Sequence, residues 1–215
     1  MTDLRTISAA VIAGDLEAVK TGVQQAVDDG DAPGEVLDQA LLPAMDVVGE
    51  RMKSGEMFIP EVLISARAMQ GGLDIILPLL SEGETRSFAT VVIGTVEGDL
   101  HDIGKNLVGM LLQGAGFKVI DMGTNVSAEA FVRAVKENKA QLLGMSALLT
   151  TTMPKMPETI DALTEAGLRD QVKIMAGGAP VSQDFVDKIG ADAYGASAAE
   201  AVEKAKELMA KLMAR

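Results

Sequence analysis

The sequence predicts a helical bundle joined to a doubly wound parallel α/β domain, and three observations carry that reading. Residues 2–80 follow a helical pattern almost throughout, with breaks at Gly14-Asp15, Gly30-Asp31, Gly55 and Pro60. From Ala89 onward short apolar runs alternate with helical stretches, the rhythm of parallel strands connected through helices. Between the halves, residues 81–87 are polar and glycine-bearing with no apolar period, which reads as a linker. The expected boundaries are 1–82 for the bundle, 83–88 for the linker and 89–215 for the α/β domain.

In the first half, a helix over residues 4–13 precedes one capped by Asp15 that runs through Ala18, Val19 and Val23 to Val27. Pro33 suits the first turn of a third helix, and Pro43 implies a restart because proline is costly in a helix interior. The fourth helix carries Met45, Val48 and Met52 near one face. The fifth follows Pro60 and carries Val62, Leu63, Ala66, Met69, Leu73 and Ile76, and Pro78 ends it. Helices this short bury their stripes only against one another, so a compact bundle is expected.

In the second half the strand candidates are 89–93, 118–122, 142–146, 172–175 and a weak fifth near 193–194. Intervening helices are expected over 104–115, 128–138, 155–166, 181–189 and 198–211. Five such strands make a Rossmann-like, flavodoxin-like doubly wound parallel sheet covered on both faces. Glycine-rich segments recur at the strand ends: Gly98, Gly123, Gly177-Gly178 and Gly195. Tight turns alone explain them, but their convergence on one sheet edge points to a ligand crevice.

Composition narrows the chemistry. Acidic residues outnumber basic ones by 31 to 19 in 215 residues, for a net charge of -12, which argues against nucleic acid as a partner. Without cysteine there are no disulfides, thiolate nucleophiles or cysteine-ligated iron-sulfur clusters, and one histidine cannot build a three-histidine zinc site. The start lacks a cationic head with an apolar core, and no segment reads as long enough to span a membrane. A soluble, cytoplasmic protein without a membrane partner is expected.

The single histidine lies in Gly94-Thr95-Val96-Glu97-Gly98-Asp99-Leu100-His101-Asp102-Ile103-Gly104-Lys105-Asn106, at the carboxyl end of the first strand candidate. Imidazole is the commonest metal-binding side chain. A carboxylate two residues away can fix its tautomer, and a glycine three residues on admits a large ligand close to the backbone. The loop is not Gly-x-Gly-x-x-Gly and has no phosphate-loop lysine-serine pair, so nucleotides are disfavoured.

Asp99, His101 and Gly104 fit the Asp-x-His-x-x-Gly signature, and the run resembles that of cobalamin-binding domains in corrinoid proteins of methyltransferase systems and in methionine synthase. Further stretches resemble that family in the same order: residues 47–63, 120–126, Ser146-Ala147-Leu148-Leu149-Thr150, Met175-Ala176-Gly177-Gly178-Ala179-Pro180 and 190–195. The resemblance implies cobalamin bound base-off and histidine-on, as methylcobalamin or cob(I)alamin, with His101 as the lower cobalt ligand. It assigns the catalytic group His101, Asp99 and Ser146, with Ser146 as the proposed partner of Asp99. Residues implied around the cofactor are Gly98, Asp102, Ile103, Gly104, Met122, Gly123, Leu148, Thr150, Gly177, Gly178, Tyr194 and Gly195. Asp102 is equally read as a helix cap, and Lys105 as a corrin or partner contact or an exposed lysine.

The helical half resembles the cap that shields the upper face of the corrin, with Phe58 as the capping aromatic; core packing is the plainer role for a phenylalanine. The function implied is a non-autonomous corrinoid methyl carrier. It would take a methyl group on Co(I) from a substrate-specific methyltransferase and deliver it as methyl-Co(III) to an acceptor methyltransferase using tetrahydrofolate or coenzyme M. A reductive activation protein is the third partner. The alternatives are a cobalamin-binding sensor or regulator, which would need a signalling output, and the cobalamin subunit of a mutase, which would need a substrate barrel.

Overall fold

The computed structural model describes residues 3–80 and 89–213. The expected linker, 83–88, lies outside the described residues. The chain divides into two compact units, Met1–Phe88 with Met110–Gly116, and Ala89–Gly109 with Phe117–Arg215.

The helical unit begins with α1 (Leu4–Ala13) and α2 (Leu16–Asp28). Asp3 accepts from the Arg5 N–H and Asp15 from the Ala18 N–H, both at 3.0 Å, so each helix starts on an aspartate. Then come α3 (Pro33–Val36), α4 (Leu42–Ser54) and α5 (Ile59–Ile76). Pro43 does not break the chain into two helices as expected. Residues Leu37–Leu41 widen into a π-helical turn, in which the Leu42 N–H bonds to the Leu37 carbonyl, and the helical path continues through the proline. The wider turn makes room for a ring that has no N–H to donate.

Ile7, Val11, Val19, Val23, Leu41, Val48, Val62 and Met69 are buried. Full burial of such a side chain contributes about 1.5–3 kcal/mol, against about 1 kcal/mol for a cap, so packing holds the bundle. One sequence expectation needs correction: Ile59–Leu79 is long and apolar enough to cross a membrane by length and composition. Half of that window is buried in the protein, which suits the central helix of a bundle.

The second unit is a five-stranded parallel sheet in the order β2-β1-β3-β4-β5. Its strands are β1 (Thr90–Thr95), β2 (Lys118–Asp121), β3 (Leu142–Ser146), β4 (Lys173–Gly177) and β5 (Ala193–Gly195). The helices α6 (Ile103–Gly114), α7 (Ala128–Glu137), α8 (Lys155–Glu165), α9 (Gln183–Ile189) and α10 (Ala198–Met213) alternate with them. Val92, Phe131, Leu143, Met145, Met156, Leu163 and Ile174 form a buried core.

Two strands run further than the apolar pattern indicates. β1 continues through Gly94 and Thr95, which pair with Met145 and Ser146, and β4 continues through Gly177, which pairs with Ser146 and Gly195. Pairing to β3 carries Gly94 and Thr95, pairing to β3 and β5 carries Gly177, and no hydrophobic signal marks these small and polar residues. The order reverses at β1 and β3, so the crevice of a doubly wound sheet falls at their carboxyl ends.

Candidate functional site

At that edge, within the sheet unit, lies a cavity of about 480 Å³ lined by Leu100, His101, Asp102, Ile103, Gly104, Ser146, Leu148, Gly177, Gly178 and Gly195. The lining is largely apolar or side-chain-free, and the histidine supplies its aromatic nitrogen. The four loops converge because all four strands end on the same edge.

His101 is positioned through Asp99, which is fully buried. The Asp99 Oδ1 lies 2.7 Å from His101 Nδ1 and accepts the His101 N–H at 3.1 Å. The other oxygen, Oδ2, accepts the Leu148 N–H at 2.7 Å, the Leu149 N–H at 3.2 Å and the Thr152 hydroxyl at 2.8 Å. Burial alone pushes the Asp99 carboxyl up. The Leu148 N–H, the His101 ring and amide, and the Thr152 hydroxyl more than offset that and hold it well below the usual carboxylate range. Asp99 is therefore an anion near neutral pH and accepts the Nδ1 proton, so that in the neutral imidazole the lone pair of His101 is on Nε2. The imidazole is half exposed.

The third member of this relay differs from the sequence expectation. The hydroxyl that reaches Asp99 is that of Thr152, on the turn before α8; Ser146 ends β3 and lines the cavity instead. The backbone geometry explains the exchange. Asp99 lies beneath the turn that follows β3, so the residues donating to it are Leu148, Leu149 and Thr152.

Other predicted residues separate into groups. Asp102 precedes α6 and accepts the Asn106 N–H on its carbonyl at 2.7 Å, with its carboxylate meeting Asn106 Nδ2 at 3.1 Å. Gly98, Met122, Gly123, Thr150 and Tyr194 do not line the cavity. Gly98 and Gly123 serve turns with positive φ, while Met122 and Tyr194 pack on the sheet core. Phe58 belongs to the helical unit, where it is 68% exposed and not in the core, and Glu61 accepts its N–H at 2.8 Å to cap α5.

Gly177 and Gly178 line the cavity, but the protein's own backbone already requires them. A Cβ on Gly178 would lie 1.9 Å from the Ala147 carbonyl oxygen, and one on Gly177 would lie 2.9 Å from that of Gly195. Gly104 is the opposite case: a Cβ there would meet no protein atom within 4 Å, although it faces the cavity.

Two further residues, Thr95 and Asn125, shape the site without having been singled out for it, and Lys105 shapes it in another way than expected. Thr95, fully buried, donates its hydroxyl to the His101 carbonyl at 2.8 Å. Asn125 adopts φ 54; its side chain accepts the Gly98 N–H at 2.7 Å and its own N–H reaches the Asp99 carbonyl at 3.0 Å. Lys105 is buried and paired with Asp121, so it is neither the exposed lysine nor the free ligand contact expected. The turn residues Gly123-Thr124-Asn125 were the one available signal, since asparagine tolerates the left-handed region.

The B12 binding domain profile matches residues 89–203, and a second B12 binding domain profile matches residues 4–77. The chain belongs to the B12-binding family of corrinoid proteins. It is 45% identical to dimethylamine corrinoid protein 1 of Methanosarcina acetivorans over 96% of this chain and 97% of that one. It is 47% identical to the trimethylamine corrinoid protein of Methanosarcina barkeri over 89% of each. Among solved structures, a chain of the methanol:cobalamin methyltransferase complex from Methanosarcina barkeri aligns with a TM-score of 0.85 and 37% identity, covering 96% of this chain and 79% of that one.

The site of this corrinoid protein suits its cofactor on grounds independent of those matches. Among the described residues no group of three or more His, Cys, Asp or Glu could hold a bare metal ion. One imidazole with a free Nε2 suits a metal that arrives already ligated by a macrocycle. Leu100 and Ile103, 74% and 86% exposed, line the cavity with that imidazole and leave apolar surface there for a ligand to cover.

Proposed function

We propose that this corrinoid protein is a methyl carrier, receiving a methyl group from a substrate-specific methyltransferase and surrendering it to an acceptor methyltransferase that uses tetrahydrofolate or coenzyme M. A reductive activation protein would serve as the third partner. The observation that carries this reading is the His101 imidazole, held by ionised Asp99 with Nε2 free at the mouth of a cavity in a B12 binding domain. Relatives named for dimethylamine and trimethylamine, and the likeness to a chain of a methanol:cobalamin methyltransferase complex, support the methyl chemistry.

The corrinoid, when bound, supplies a cobalt centre able to take up and release a methyl group. The chain's own residues bind and tune. His101 is the proposed lower ligand, in a base-off, histidine-on arrangement. Asp99 accepts the Nδ1 proton and so leaves the Nε2 lone pair available to a metal, while Thr152 and the Leu148 amide hold Asp99 in turn. Ser146, Leu148, Gly177 and Gly195 would border the part of the cofactor that enters the cavity, and Gly104 leaves room for it. Residues 1–82 would form the cap, with Phe58 over the upper face, and residues 89–215 the cobalamin-binding domain.

The test is anaerobic reduction of the cobalamin-loaded chain, followed by methylated amines or methanol with candidate methyltransferases. Methylation seen as a change in the visible spectrum, reversed by an acceptor methyltransferase, is the expected result. Failure of every methyltransferase to alkylate or demethylate the protein, together with tight retention of adenosylcobalamin, would point to the mutase or sensor reading instead.

A further inference from the structure

We propose that Lys105 is a positioning residue for the His101 imidazole: its buried ammonium joins two hydrogen-bonded paths that hold the main chain on either side of that histidine. The inference rests on His101 being the cobalt ligand and extends that reading to a residue outside the Asp-x-His-x-x-Gly signature.

Lys105 lies in the first turn of α6, and its side chain is 1% exposed. An ammonium has three protons to donate. Its Nζ lies 2.6 and 2.5 Å from the two oxygens of Asp121 and 2.6 Å from Asn106 Oδ1, so all three are engaged by protein. None remains for a corrin amide.

The first path leaves through Asp121. Its Oδ1 accepts the Gly123 N–H at 2.8 Å, the Gly123 carbonyl accepts the Thr95 N–H at 3.0 Å, and Thr95 donates its hydroxyl to the His101 carbonyl at 2.8 Å. The second path is shorter. Asn106 Nδ2 donates to the Asp102 carboxylate at 3.1 Å, one residue beyond His101. The two paths meet at Lys105 and close a ring around the histidine loop. Each link is short, and the ring contains no atom of the cofactor, so it acts before any ligand arrives. Charge-assisted bonds are about twice as strong as neutral ones, which makes the lysine the link whose loss is felt most.

The chain has one histidine, so 15N-histidine labelling gives a single amide signal that reports on this loop. Lys105→Met keeps the unbranched apolar stem, one atom shorter, and leaves Asp121, already 45% exposed, to water, so the fold should survive. In the cofactor-free protein, exchange of the His101 amide should accelerate about tenfold, while Val91 and Val92 in β1 keep their protection. Cobalamin added to Lys105→Met should show a smaller histidine-ligated fraction in its visible spectrum. Asp121→Asn, which retains one acceptor, should be intermediate.

Unchanged His101 exchange in folded Lys105→Met would overturn the proposal. Equal acceleration at Val91 and Val92 would also overturn it, since that is general loosening. A cobalamin spectrum that His101→Ala leaves unchanged would remove the ligand reading itself, and with it the purpose assigned to Lys105, whatever the exchange data show.

Discussion

The two walls of the cavity are built on opposite principles. On the β1–α6 side, Thr95, Asp99 and Lys105 are buried polar groups; the first two bond directly to His101, and Lys105 bonds to Asp121 and Asn106. On the β4 and β5 side, Gly177, Gly178 and Gly195 contribute almost no side chain at all. One wall is a set of aligned charges and dipoles whose value depends on full satisfaction. The other is a shape, and it depends on backbones approaching more closely than a Cβ would allow. Substitutions on the two walls should therefore fail in different ways.

Gly104→Val should show the largest effect and bears on what the cavity holds. It sits on the polar side yet faces open space, so the cofactor-free protein should lose less than about 1 kcal/mol of stability. Corrinoid binding should weaken by about a thousandfold, some 4 kcal/mol, measured by cobalamin retention on gel filtration. Retained stoichiometric cobalamin would mean the cavity is not where the cofactor lies. Gly178→Ala should do the reverse, unfolding the protein before any ligand matters. At φ 127 and with 1.9 Å to the Ala147 oxygen, a methyl group should cost about 3 kcal/mol or more in urea denaturation of the cofactor-free chain.

This contrast also explains what could be read from the sequence. The strands of the sheet unit were legible because buried parallel strands are continuous apolar runs, as in residues 90–93 and 142–145. His101 and Asp99 were legible because they are two residues apart on one loop. Thr152 is 53 positions from Asp99, Asn125 is 27 from Gly98, and Asp121 is 16 from Lys105. No spacing rule connects such pairs until the sheet order brings the loops together. The glycine pair was visible, but the sequence does not show that Ala147 and Gly195 press on it from within the protein.

Acidification tests the polar wall as a whole. The folded-state pKa of Asp99 lies below the unfolded value of about 3.9. Its stabilisation is therefore fully present above that value and is lost as pH falls through the folded pKa. Asp99→Asn should cost about 2–3 kcal/mol near neutrality by leaving buried donors without a charged acceptor. The gap between the two proteins in urea titrations should narrow below about pH 4. A gap that stays constant down to pH 2 would mean that the charge of Asp99 contributes nothing to folding.

The smallest effect is expected at Thr152, where it decides how the last hydroxyl is spent. Its Oγ1 is 2.8 Å from Asp99 Oδ2 and 2.9 Å from the Leu149 carbonyl, and it has one proton. An ionised acceptor forms the stronger bond, so the proton belongs mainly to Asp99. Thr152→Val keeps the shape and leaves the Leu148 and Leu149 amides on the same oxygen, so a loss of about 1 kcal/mol is expected. Thr152→Ser keeps the hydroxyl and should recover most of it. If valine weakens the protein equally in the wild-type and Asp99→Asn backgrounds, the lost bond is the one to Leu149; if its cost shrinks in the Asp99→Asn background, the hydroxyl belongs to the relay that holds His101.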